Sequence, residues 1–125
     1  MASTFTLTLP LCPSTNELFA NVPKVGRVKT ERYRTWLQAA GWSVNAARLK
    51  PIKGAVAVTI ALPIAMPGDI DNRAKGALDL LVRHALVEDD RHVHALTLRR
   101  CLVGDPKEMV VTVAAIAAPR AREAA

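Results

Sequence analysis

Six of the eleven acidic residues of this 125-residue chain fall between Asp69 and Asp90, in PGDIDNRAKGALDLLVRHALVEDD, although the formal net charge is +6. Asp69 and Asp71 stand two apart at the mouth of an expected helix, and Glu88, Asp89 and Asp90 stand beyond its far end. One acid at a helix start is accounted for by capping, because a carboxylate accepts backbone N–H bonds and meets the positive end of the macrodipole. Two exceed that need. Acids at the opposite end oppose the dipole, at about a few tenths of a kcal/mol each, and turn chemistry before a strand is their structural alternative. Paired acids on both sides of one helix in an otherwise basic chain point to a divalent cation. Oxygen donors with no cysteine nearby favour Mg²⁺, with Mn²⁺ as a substitute, over zinc.

Lys75 follows Asp71 by four residues and precedes Asp79 by four. Surface pairing of Asp71 with Lys75, worth about 0.3–0.5 kcal/mol, explains that spacing without any function. The chemical alternative is an ammonium beside a cation, stabilising charge that builds on a phosphoryl oxygen. His92 and His94 point the same way from an expected strand; alternation on a half-exposed strand is the ordinary reading, and a His/Asp metallohydrolase site the sharper one. The chain has no GxSxG, Walker A or GxGxxG pattern, so serine nucleophiles and nucleotide cradles have no support, and no small-molecule cofactor is expected.

These residues need elements to hold them. Phe5, Leu7 and Leu9 alternate with Thr4, Thr6 and Thr8, a first strand. Tyr33, Trp36, Leu37, Ala40, Val44 and Ala47 recur at helical spacing, which predicts a helix over 30–49 capped by Thr30 and weakened by Gly41. Residues 54–62 (GAVAVTIAL) read as a buried strand. Ala74, Ala77, Leu78, Leu81, Val82, Ala85 and Leu86 form an apolar stripe, predicting a helix over 72–86. Strands over 93–103 and 109–116 flank the turn Gly104-Asp105-Pro106. The order β-α-β-α-β-β implies an α+β fold of mixed α/β character: one domain over 1–118 with a mixed four-stranded sheet, two main helices, parallel neighbours across the helical crossovers and a final antiparallel hairpin. Residues 119–125 are expected to be a disordered tail.

The totals agree with one soluble domain. Half the residues are hydrophobic and only 4% aromatic, so the core must come from Ala, Val, Leu and Ile. Cys12 and Cys101 are isolated, against a disulfide framework and in keeping with a reducing cytoplasm. No apolar run approaches the ~18 residues of a membrane span. The net positive charge favours a polyanionic partner, and without a basic amphipathic helix that partner is nucleic acid rather than a membrane surface. Lys24, Arg27, Lys29, Arg32 and Arg34, against the single acid Glu31, form the positive patch that would contact DNA phosphates. Tyr33 and Trp36 offer rings for bases, although their helical spacing favours core packing.

The pattern DIDNRAK, then Asp79-Leu80-Leu81, then VEDDRHV resembles the D-x-D-N-x-x-K…DAL…DD signature of the RusA-type Holliday junction resolvases. The N-terminal PSTN and the basic GRVKTERYRTW resemble that family's PPSxN loop and its Arg/Lys-rich approach to the first helix. The resemblance covers about 10–95. It implies a homodimeric, Mg²⁺-dependent endonuclease of phage or prophage origin that nicks four-way DNA junctions symmetrically, in a bacterial or phage-infected cytoplasm. It also implies that Asp69, Asp71 and Asp90 are the catalytic metal ligands and Lys75 the functional lysine, with Asp89 as metal ligand or support. Arg91-His92 replace the Ser-Gln that often follows the second aspartate of the DD pair, which bears on DNA preference. The competing readings are a non-catalytic nucleic-acid-binding module and a general metal-dependent nuclease of flaps or other branched substrates.

A helix over 72–86 is about 21 Å long, and the four residues after it span at most about 13 Å. Asp90 therefore meets Asp69 and Asp71 in one chain only through a sharp return or a shorter helix. The expectation taken here is a site within one chain, with a site completed across a dimer as the alternative.

Overall fold

The Thr/Phe/Leu alternation at the N-terminus becomes β1 (Thr4–Pro10), with Phe5, Leu7 and Leu9 buried and the threonines exposed. The computed structural model describes residues 3–117, so the expected tail at 119–125 lies outside the described residues. Next comes a hairpin of β2 (Phe19–Val22) and β3 (Gly26–Lys29). Its mostly exposed residues carry no apolar alternation, and for that reason the pattern along the sequence did not reveal it. Pro23 and Lys24 sit at the corners of its turn, closed by Val25 N–H donating to the Val22 carbonyl at 3.1 Å. Lys24 takes φ 65°, the positive value a type II turn demands at its second corner.

Helix α1 (Glu31–Ala47) begins where expected: the Thr30 hydroxyl accepts from the Tyr33 N–H at 3.1 Å. It buries Tyr33, Trp36, Ala40, Gly41 and Val44. A Cβ on Gly41 would meet the His84 ring at 3.6 Å, an ordinary contact. Gly41→Ala is therefore expected to raise the unfolding free energy by about 0.5–1 kcal/mol through helix propensity, read as a higher urea midpoint with an unchanged slope.

β4 (Val56–Pro63) buries Val56, Val58, Ile60 and Leu62. A 3₁₀ turn, Ile70–Arg73, follows, and then α2 (Lys75–Arg83). This helix is nine residues long rather than the expected fifteen. Its core-facing side is Gly76, Ala77, Leu80 and Leu81, one residue out of phase with part of the expected stripe. Leu80 is fully buried, Leu78 and Val82 only partly so, and Ala85 is exposed at φ 57°. A further 3₁₀ turn, Asp90–His92, leads into β5 (Val93–Leu102), and β6 (Glu108–Ala115) ends the fold.

The mixed four-stranded sheet has the order β1-β6-β4-β5. β4 and β5 are parallel neighbours across α2 as expected, and β6 is antiparallel to both β1 and β4. The expected final hairpin is absent: β4 lies between β5 and β6. The α2 crossover places β5 directly beside β4 on the outside, leaving β6 to fill the slot between β1 and β4. The five residues 103–107 reach about 17 Å when extended, enough to cross two strand spacings of about 4.8 Å each. Both helices contribute to one core with the inward residues of β1, β4 and β6. No helix among the described residues is long and apolar enough to cross a membrane.

Candidate active site and nucleic-acid face

Asp69 precedes the 3₁₀ turn Ile70–Arg73 and Asp71 lies within it; both are exposed. Asp69 makes no side-chain capping bond. The ion pairs among the described residues are Arg32–Glu17 and Lys75–Asp79, so Asp71 is not paired with Lys75, whose ammonium instead lies 3.9 Å from Asp79. Two guanidiniums hold the loop that carries these acids. Arg73, 9% exposed, donates from Nη1 to the Cys12 carbonyl at 3.0 Å and from Nη2 to the Pro67 carbonyl at 3.3 Å. Arg100, near the end of β5, donates to the carbonyls of Met66 at 2.5 Å and Gly68 at 2.6 Å. Charge-assisted bonds of this kind are about twice as strong as neutral ones, so the loop is well anchored where Asp69 emerges.

The acids beyond α2 divide by role. A Glu88 carboxylate oxygen accepts from Gly54 N–H at 2.8 Å, tying the segment to the start of β4. Asp89 accepts from Arg91 N–H at 3.1 Å and caps the 3₁₀ turn Asp90–His92; that bond, and one shared with Asp90, hold its carboxyl below the usual range. The same shared bond and the charge of Asp89 push the Asp90 carboxyl up, with a smaller push from Asp79. Turn chemistry thus explains Glu88 and Asp89 but leaves Asp90 as an acid crowded by acids. Asp79, Asp89 and Asp90 line one hollow of about 410 Å³ with Val82 and Arg83.

Among the described residues no three Asp, Glu, His or Cys side chains converge on a point where a metal ion would sit. Asp69 and Asp71 occupy one end of α2 and Asp90 the other. The eight residues from Asp71 to Asp79 rise about 12 Å even at the α-helical 1.5 Å per residue. Within one chain the two groups of carboxylates therefore stand apart at opposite ends of α2. His92 and His94 join neither in a ligand set, and His92 Nδ1 is buried without a partner.

The PSTN loop links the positive patch to the turn that carries Asp71. The Thr15 hydroxyl donates to the Asn72 carbonyl at 3.3 Å, joining the PSTN loop to the acidic turn. The Arg27 guanidinium lies 4.3 Å above the Phe19 ring across the β2–β3 hairpin. Phe19 meets Tyr33 edge-on at 5.6 Å, Tyr33 stacks with Trp36 at 6.3 Å, and Trp36 Nε1 donates to the Pro10 carbonyl at 2.8 Å. Tyr33 and Trp36 are core residues, as their spacing favoured, and are closed to bases. Arg32 is bound to Glu17, whose carboxyl is held low by the Ser14 hydroxyl and, more weakly, by Arg32. Arg34 donates to the Lys29 carbonyl at 3.0 Å. Lys24 and Lys29 are exposed, and among the described residues neither ammonium group forms an ion pair. The sequence pattern marked Asp79 only by its spacing and its motif, not as a companion of Asp90, and did not mark Arg73 or Arg100. Asp79 carried a signal in its i+4 spacing from Lys75; the guanidinium-to-carbonyl bonds of the two arginines have none.

A basic hairpin and an acid-bearing turn, joined through the PSTN loop on a small mixed sheet, are the make-up of a protein that acts on nucleic acid. The match is specific: this chain belongs to the RusA family, since the model for Endodeoxyribonuclease RusA matches residues 9–114, a span that includes every site residue named above. The resemblance carried by DIDNRAK and VEDDRHV is thereby borne out. Members of this family are endodeoxyribonucleases that resolve Holliday junctions, hydrolases whose substrate is branched DNA. No individual curated protein matches the chain.

Proposed function

We propose that this chain is a Mg²⁺-dependent resolvase that nicks four-way junctions symmetrically as a homodimer, with Mn²⁺ able to substitute. The observation that carries the reading is the pair Asp69 and Asp71. They are exposed carboxylates outside every ion pair found among the described residues, on a clamped turn beside a basic hairpin. Their oxygens suit a hard divalent cation, with Asp90 as the third ligand and Asp89 supporting it. Such an ion would lower the pKa of a water and offset charge on the phosphoryl and leaving oxygens. Lys75, exposed and only loosely paired with Asp79, brings positive charge to a phosphate oxygen. Lys24, Arg27, Lys29, Arg32 and Arg34 hold backbone phosphates against the repulsion of the carboxylates, so affinity should fall steeply with salt. The products are a 3′-hydroxyl and a 5′-phosphate.

The distribution of the acids favours a site completed by a second copy over one contained in a single chain. β5 is the edge of the sheet, and seven of its ten residues are exposed. Asp90 precedes its start, while Arg100 ties the Asp69 loop near its end. Two-fold pairing of β5 edges would run the strands antiparallel and bring Asp69 and Asp71 of one subunit toward Asp90 of the other. A junction has approximate two-fold symmetry, so two such sites would meet opposed strands.

Cleavage of a labelled four-way junction, with and without Mg²⁺, tests the activity. Salt-sensitive binding without cutting selects the binding module, and equal cutting of flaps and single strands selects the general nuclease. Mixing Asp69→Asn subunits with Asp90→Asn subunits tests the shared site. The mixed dimer should then hold one intact site and nick one strand. Mixed dimers that remain inactive would return the site to a single chain.

A further inference from the structure

Trp42 is 72% exposed on α1, whereas the other tryptophan, Trp36, is buried. A large ring held open to solvent is unusual in a chain with few aromatic residues, and Trp42 does not stand alone. It lines a groove of about 490 Å³ with Lys29, Arg34, Gly41, Arg83 and His84, and no acidic side chain is among the lining residues. Arg34, Gly41, Trp42 and Asn45 recur at helical spacing, so one face of α1 makes one wall. The end of α2 makes the other, where the His84 ring lies 3.6 Å from the position a Cβ on Gly41 would take.

The groove borders both the basic hairpin and the second group of carboxylates. Lys29 belongs to the basic hairpin, and Arg83 also lines the hollow holding Asp79, Asp89 and Asp90. A path of cations thus runs from the hairpin, past an open indole, to the second group of carboxylates. Cations spaced around a flat exposed ring match single-stranded nucleic acid: the phosphates meet the guanidiniums and a base stacks on the ring. Intact duplex offers its phosphates to such a groove but no free base face.

We infer that this groove binds an unstacked nucleotide of branched DNA, with its base on Trp42 and the flanking phosphates on Lys29, Arg34 and Arg83. The inference rests on the nuclease reading for the identity of the DNA. It adds a means of telling a junction, where bases at the exchange point can unstack, from an uninterrupted duplex.

The test uses the full chain carrying Asp71→Asn to suppress cutting. It measures fluorescence anisotropy of a labelled four-way junction and of the matching duplex, and tryptophan emission on titration with an oligothymidylate. The oligonucleotide should quench the emission, and Trp42→Ala should abolish that quenching. The same substitution should weaken junction binding about five- to a hundred-fold, the range that base stacking supplies, and duplex binding much less. Trp42→Phe should recover most of the loss, and unchanged thermal melts would show that all variants are folded. Junction binding by Trp42→Ala equal to that of its parent would overturn the inference, whereas the nuclease reading would stand on cutting by the chain with Asp71 intact. Quenching and weakened binding as expected, in a chain that never cuts, would keep the groove and remove the nuclease reading.

Discussion

Asp71→Asn is expected to slow junction cleavage on the order of a hundred- to a thousand-fold, the range seen when one preorganised charge-stabilising group is removed from an active site. The substitution keeps the size and shape of the side chain and removes its charge. Asp71 is exposed and lies outside the ion pairs found among the described residues, so stability should change by no more than about 0.5 kcal/mol. Junction affinity without divalent ions should stay the same or rise, because a negative charge facing phosphates has gone. The checks are single-turnover cleavage, anisotropy in EDTA and a thermal melt. Cleavage within about threefold of the unmodified chain, well short of the expected loss, would remove Asp71 from the site. A matching loss of both cleavage and melting temperature would make it a structural residue.

Gly76→Ala is expected to lower the unfolding free energy by about 1–3 kcal/mol, as overpacking of a core does. Helix propensity alone would favour alanine by about 1 kcal/mol. Packing decides the sign: a Cβ at Gly76 would stand 2.4 Å from Cys12 Sγ, with Tyr33 and Leu18 close behind. Cys12 cannot swing freely aside. It is fully buried, its N–H lies 3.4 Å from Met109 Sδ, and its carbonyl accepts from Arg73. Burial pushes its thiol up to about 12, so at neutral pH it is a small apolar group rather than a nucleophile. Adding Cys12→Ala should therefore relieve the clash, and the double variant should be more stable than Gly76→Ala alone. Urea unfolding of the four proteins gives the coupling directly. Simple additivity would show that the contact is not the cause. Since Arg73 spans Cys12 and the loop of Asp69, Gly76→Ala should also slow cleavage, and the relief of both defects should go together.

Gly76 illustrates where reading along the chain stopped. In sequence it is one small residue in an apolar helical stripe. Its importance comes from Cys12, sixty-four positions away, and from the short distance between α2 and the segment after β1. The same holds for the strand order. The apolar patterns of β4, β5 and β6 each describe a strand, but they do not say that β6 passes β4 to pair with β1. That follows from the α2 crossover occupying the place beside β4. The register Thr6 to Thr112 to Thr59 to Thr97 joins residues up to 106 positions apart, a relation no local window contains.

The amino-acid sequence alone determined what depends on near neighbours. It set the alternation of β1, the Thr30 cap, the turn chemistry of PSTN, the nature of the acid-rich motif and the family that motif indicates. These are relations across about four residues, where side-chain size, charge and backbone preference act directly. Only the tertiary structure decided that Lys75 pairs with Asp79 instead of Asp71, that Trp42 stands open beside a basic groove, and that two guanidiniums anchor the Asp69 loop. It alone showed that, among the described residues, these carboxylates do not converge on one metal position within the chain. The reason is physical: burial, ion pairing and metal-ligand geometry are set by distances in space, and the chain sets those distances only after its remote segments have packed.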